Sequence, residues 1–416
     1  MPKAEFKAAV EISREWEGDK VAKELVGKLK AKTPNPKFIL LFTTIHYQSE
    51  FKKILSGIKN AFPDSPLIGG TIAGFITPEG CFTRGVTALT VDYPNMEVSI
   101  GVGHNTKRNP EKAVDEAVEM IDKKMKSKDV DFIISFTAGP TLPSIKGVDK
   151  WVVKVPFLED ATIKLLELST KKLQKGHGRE EEIIENLSKK YNDSYILGGS
   201  SSDNITLKKS YEFFNNDVLM NSLTLIAVKW NGKFKIKSIH GFHPVGKKIL
   251  HVKKKGFDGK VVCKIDDKSA TEAFLEAVNW PEKFFDERLH RRTFFYPLSF
   301  KNEDGILCPM AIGGILNNSF VFSYSMKGNN LIPLTASGKD LIDCLKKVVN
   351  KSNLTFSISC CALQEALGSN VYKIYEIFKN KNSVFLLIFT LGESAYLPSK
   401  KPLHLNESYN LGTFNI

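Results

Sequence analysis

Arginine is scarce in this chain: seven of its 59 basic residues are arginine, leaving 52 lysines. Base-edge and phosphate recognition favour the planar, bidentate arginine fork. The formal charge of +13 is therefore a weak footprint for nucleic acid. The lysines are scattered along polar helical faces. Their densest run is Lys247-Lys248 with Lys253-Lys254-Lys255, and Arg288, Arg291 and Arg292 form the arginine cluster. A solvated surface accounts for this pattern, and no nucleic-acid partner is expected. Long apolar runs are also missing. The most apolar stretch, residues 384–389, falls far short of the ~20 residues of a spanning helix, so no membrane insertion is expected. No apolar run follows Met1-Pro2-Lys3, which argues against a signal peptide. The six cysteines (Cys81, Cys263, Cys308, Cys344, Cys360 and Cys361) show no C-x-x-C spacing. That speaks against structural zinc and a disulfide scaffold, and for a reducing cytoplasm. The phosphate-binding patterns G-x-G-x-x-G and G-x-x-x-x-G-K-[ST] do not occur in the glycine-rich loops, so no nucleotide site is supported. No motif names a cofactor or a metal.

What is present is an ordinary globular composition, 42% apolar and 25% charged, over 416 residues. This length suggests two or three domains. The clearest organisation is a repeat. FILLFTT at 38–44 and FIISFT at 132–137 are β-branched and aromatic runs suited to buried strands. Each precedes a helical stripe: Phe51, Ile54, Leu55, Ile58 and Phe62 in one copy, Ile183, Ile184, Leu187 and Tyr191 in the other. Next come strands ending at Gly69-Gly70 and Gly198-Gly199, then strands 86–91 and 223–228, then 100–104 and 239–243. Matched elements in one order give two copies of an α/β unit, residues 1 to about 128 and about 129 to 250. The second carries an insertion near 141–177. Residues 251–416 mix strands and helices and show no third copy. The expected fold class is α/β, with an internally duplicated N-terminal region (1–250) and a mixed α/β C-terminal domain (251–416).

The paired glycines are the first candidate site. Glycine after a buried strand lets backbone N–H groups approach a ligand. Gly69, Gly70 and Thr71 form one such loop, and Gly198, Gly199, Ser200, Ser201, Asp203 and Asn204 form the other, with hydroxyls, an acceptor and an amide. A tight turn that only glycine fits is the competing explanation. His240 and His243, at i, i+3, point to opposite faces on a strand and would not chelate one metal there. His240 remains a candidate ligand contact. Cys360 closes an apolar strand before a helical start, where a thiol can become nucleophilic, with Glu393 or His404 as candidate partners. A small buried hydrophobe is the alternative.

With these motifs in order, the chain resembles the FIST family, whose members pair N- and C-terminal FIST domains. Residues 68–74 (IGGTIAG) look like the family's first glycine turn and 196–203 (ILGGSSSD) like its second. Residues 238–246 are similar to the His-Gly-aromatic segment that closes the N-terminal domain. Residues 261–278, 356–367 and 390–393 look like C-terminal domain segments, and His404 and Asn406 sit where the family ends on a His/Asn segment. The chain departs from the pattern at Gly70, where Cys or Ser is frequent, and at Ala362 and Leu363, where Arg is common. The resemblance implies a cytoplasmic sensory protein that binds a small ligand, with amino acids proposed. It also implies output through a separate signalling partner, and in some relatives haem-based nitric-oxide sensing, for which His240, His243 or His104 would be the candidates. A binding protein is expected rather than an enzyme. The candidate ligand contacts are the two glycine loops with His240, Cys360 and Glu393. An enzyme with a Cys360 nucleophile is the alternative.

Overall fold

The computed structural model describes residues 5–142, 152–155, 157–284 and 289–416. Strands form where the β-branched and aromatic runs lie: Phe38–Thr44 and Phe132–Thr137 are buried throughout. Helices form where an apolar stripe meets a stop signal. Pro110–Lys124 begins with the Asn109 side chain accepting from the Lys112 N–H and with Pro at its first position. Gly338–Val348 begins with a reciprocal Ser337–Asp340 capping box and buries Leu341, Ile342 and Leu345. The chain is mixed α/β, as its alternation of strand and helix patterns predicts.

Three sheets share one strand order. In the first, Lys7–Ser13 pairs antiparallel with Val86–Asp92, which pairs antiparallel with Phe38–Thr44, which runs parallel to Leu67–Ile72. In the second, Met96–His104, Ser222–Trp230, Phe132–Thr137 and Tyr195–Ser200 repeat this pattern. In the third, Lys233–Ile239, Tyr409–Asn415, Leu354–Cys360 and Phe385–Thr390 repeat it again. Most matched elements form where expected, but residues 239–243 are not one strand: Lys233–Ile239 stops at Ile239 and His243–Pro244 pairs in another sheet, while residues 100–104 open the second unit instead of closing the first. The third unit is an addition to the two copies legible in sequence. About a hundred residues separate its first strand from its first helix, so its elements are not contiguous.

Each unit lends a hairpin to the next sheet in a closed cycle. Gly74–Thr77 and Gly80–Phe82 extend the third sheet, Glu212–Phe214 and Asp217–Leu219 the first, and Glu393–Tyr396 and Leu403–Leu405 the second. The inner faces meet in one core containing Phe42, Phe136, Phe356 and Ile358. The segment between Ile239 and Gly338 forms most of a further ten-stranded sheet. It packs Phe274, Phe320 and Met310 with Leu403 and Leu405 of the third unit's hairpin.

Candidate functional site

The paired glycines lie where the three sheets converge. A Cβ on Gly69 would stand 1.8 Å from the Leu41 carbonyl oxygen, and one on Gly70 would stand 2.6 Å from the Phe136 ring. One on Gly199 would meet Ile358 at 2.7 Å, and one on Gly198 would meet Ser135 Oγ at 2.4 Å. Backbone contact requires glycine at Gly69 and Gly70, while at Gly198 and Gly199 a side chain would have to displace Ser135 or Ile358. The lost side chains also make room. Glu212 stands opposite Gly70 and Glu393 opposite Gly199, while the third unit sets Phe75 opposite Ile388. Two carboxyl groups are thereby buried at equivalent positions near the centre.

Each carboxyl has hydroxyl partners. Glu212 Oε1 lies 2.6 Å from Ser201 Oγ, and its Oε2 accepts from the Ser222 N–H at 3.1 Å. Burial drives the Glu212 carboxyl up to about 8, against the Ser201 hydrogen bond. Glu393 accepts from Thr390 Oγ1 at 3.0 Å and is raised well above its ordinary value by burial and by the adjacent Cys360 thiol. Burial, with Cys361 and Glu407 nearby, also pushes Cys360 well above the ordinary thiol value. This works against the thiolate that a nucleophile needs. Glu407 is buried with both carboxyl oxygens unpartnered.

The structure thus sets Glu393 beside Cys360 and Ser201 against Glu212, while Thr71 and Ser200 lie in the two glycine-bearing strands. Thr71 Oγ1 accepts from the Tyr211 N–H at 3.0 Å, and Ser200 Oγ is buried without a partner. Asp203 organises its own loop, accepting from Leu207, Lys208 and Lys209 N–H groups at 2.6–2.9 Å. Asn204 is exposed in the left-handed region, φ 61°. His240 is half-buried, and its Nδ1 accepts from the Phe242 N–H at 3.3 Å. His243 and His104 are exposed. His404 does not serve Cys360: its Nδ1 lies 2.8 Å from Ser394 Oγ, and its ring packs edge-on to Tyr324 at 5.0 Å.

Sequence reading missed a second group of buried ionisable side chains. Lys260 Nζ pairs with Glu181 Oε1 at 2.6 Å and donates to the Gly178 carbonyl at 3.0 Å. The Ser325 hydroxyl reaches the same carboxyl oxygen at 2.9 Å, while Glu181 Oε2 is buried and unpartnered. Burial alone would raise Glu181, but Lys260 reverses the balance and holds it near 2. Neighbouring Glu180 has no such ion pair, so burial and then the Glu181 charge lift it to about 7. Lys107, fully buried, donates to Thr141 Oγ1 at 2.8 Å, and desolvation lowers it to about 8. Such clusters collect at functional sites because burying charge is costly without a use for it. In sequence, Glu180-Glu181-Glu182 reads as an acidic helix start, which gives no sign of burial.

Glu181 lines a cleft of about 340 Å³ between the helix Glu180–Lys190, the ten-stranded sheet and the strand Leu403–Leu405. Tyr324, Ser325 and His404 form its inner wall, and burial lowers His404 to about 4, against the Glu181 charge. Lys301, Lys327 and Lys401 also line it, and the last two pair with Glu185 and Glu303. Of the twelve candidate ligand contacts read from sequence, none lines this cleft. Among the described residues, no helix is long and apolar enough to cross a membrane.

Comparison with known proteins adds three findings. A family model described as the FIST N domain matches residues 37–268. An uncharacterized protein of Methanocaldococcus jannaschii is 22% identical over 370 residues, covering 85% of this chain. The chain spans 65% of that relative's length. A crystal structure of cyanuric acid hydrolase from A. caulinodans overlaps 99% of this chain and 100% of its own at 9% identity, with a TM-score of 0.39.

Proposed function

The chain belongs to the FIST family, which is associated with sensory signal transduction, and from that premise we propose that it is a cytoplasmic sensor binding a small amino acid-like ligand in the cleft at Glu181. The observation that carries this reading is that Glu181, whose Oε2 is buried without a partner, lines a cleft of about 340 Å³. That volume suits a small metabolite. An ammonium group would meet the free carboxyl oxygen. A carboxylate would meet Lys301, and Tyr324 and His404 would bracket the side chain. The cleft joins the second unit to the inserted sheet and the third unit's hairpin, so occupancy would tie separate parts of the chain together. Output then passes to a separate signalling partner.

A thermal-shift screen of amino acids and related metabolites tests the reading. A ligand at one hundred times its Kd adds about 2.7 kcal/mol of stability. The charge reversal Lys301→Glu should abolish the shift while leaving the ligand-free midpoint unchanged. A wild-type protein that responds to none of the compounds would overturn the assignment.

A further inference from the structure

A second cavity, about 80 Å³, lies where the second and third units meet the inserted sheet. Its wall is almost wholly apolar, with Leu142, Leu207, Ile312 and Leu391 prominent, and Cys360 and His177 also line it. His177 is 4% exposed, and neither ring nitrogen has a hydrogen-bond partner. Its ring packs edge-on against Phe257 at 5.7 Å, which fixes its plane without satisfying its nitrogens. An imidazole so buried leaves one N–H donor and one lone-pair acceptor unused, and buried polar groups are ordinarily paired.

We propose that this cavity is a binding site, distinct from the Glu181 cleft, for a small uncharged molecule that hydrogen-bonds His177 and packs its apolar part on the leucine wall.

Charge excludes the other classes. Lys107, Lys260 and Glu181 already surround His177, and burial followed by the lysines depresses it to about 3. The ring is therefore neutral, and since none of the described residues lining the cavity is Lys, Arg, Asp or Glu, an ionised ligand would lose its hydration there uncompensated. Size sets the rest. An apolar cavity of ~150 Å³ holds benzene, so this one takes about three or four non-hydrogen atoms. Small amides, alcohols and ketones meet both conditions. A single water would satisfy a nitrogen but leave the apolar wall uncovered.

Titration of the full chain with acetamide and 2-propanol tests this, read by calorimetry and by the ring ¹⁵N resonances of His177. Saturable binding that moves those resonances is expected. Acetate and methylammonium, of similar size but charged, should not bind. Leu142→Trp should abolish binding by filling the cavity. His177→Phe, which keeps the ring and removes both nitrogens, should weaken it about tenfold, near the upper range for one hydrogen bond, with an undiminished thermal midpoint. No saturable response to either probe would mean ordered water only and would overturn the proposal. Binding that survives Leu142→Trp, or equal binding of the ions, would overturn it too. Should His177→Phe fail to fold, Leu142→Trp carries the test alone.

Discussion

Glu212 and Glu180 are protonated in the folded chain over a pH range where the unfolded chain ionises them. Burial raises Glu212 to about 8 and Glu180 to about 7, each from an ordinary 4.5. The stabilising contribution of a raised acid is complete below pH 4.5 and is lost as the pH climbs through the folded value. His177 and His404, lowered by burial from 6.5 to about 3 and about 4, work in the opposite sense. Their contribution is complete above pH 6.5 and is lost as pH falls through 4 and 3. The two trends oppose each other between 4.5 and 6.5, and above 6.5 the carboxyl loss is unopposed by the histidines. Lys107, lowered to about 8 from 10.5, begins to restore stability only above 8. Denaturant-measured stability should therefore fall between pH 6.5 and 8, and Glu212→Gln should flatten that fall. An unchanged slope in the variant would refute the assignment. Only part of this was legible in sequence. Ser201, Glu393 and Cys360 stood out by motif, and all three are buried, with Ser201 on Glu212 and Glu393 beside Cys360. Glu181, Lys260 and Lys107 read as surface charge, because a lysine or glutamate signals burial only through its neighbours in space.

Among the elements, the helix Pro110–Lys124 shows how small residues fix a packing distance. A Cβ on Gly103 would stand 1.7 Å from the Ala113 carbonyl oxygen, and one on Gly101 would stand 2.0 Å from that of Ala117. The strand thus carries the helix at backbone contact. Gly103→Ala should destabilise the chain by about 1–3 kcal/mol or more, since backbone has to move. Gly27 provides the contrast: it is exposed within the helix Gly18–Lys32 and has nothing within 4 Å of an added Cβ. Gly27→Ala should stabilise by about 0.5–1 kcal/mol through helix propensity. Equal effects at the two sites in equilibrium unfolding would contradict the packing argument. The strand and helix patterns of the first two units were readable because period and punctuation are local. The glycine pairs were also visible, but their reason was not. Gly70 and Gly199 answer to Phe136 and Ile358, residues far off in sequence.

In the whole molecule, the cyclic exchange of hairpins makes the sheets mutually dependent. The second sheet needs Glu393–Tyr396 to cover the edge of Tyr195–Ser200, and among the described residues Lys233–Ile239 pairs only with Tyr409–Asn415 in the third. A fragment of residues 1–250 would also strip Gly74–Thr77 of its partner Phe385–Thr390, so it should expose the edges of three strands and self-associate. The full chain should unfold in one cooperative transition. A monomeric fragment with native near-ultraviolet circular dichroism would show instead that the N-terminal region folds alone. Sequence by itself determined the α/β class, two of the repeat copies, the FIST resemblance and the lack of any long apolar run, because each is written in local pattern and composition. Tertiary structure decided the third copy, the exchange of hairpins, the cleft at Glu181 and the cavity at His177. Those depend on which distant strands share a sheet and which polar groups are left inside without partners, and neither follows from the order of residues along the chain.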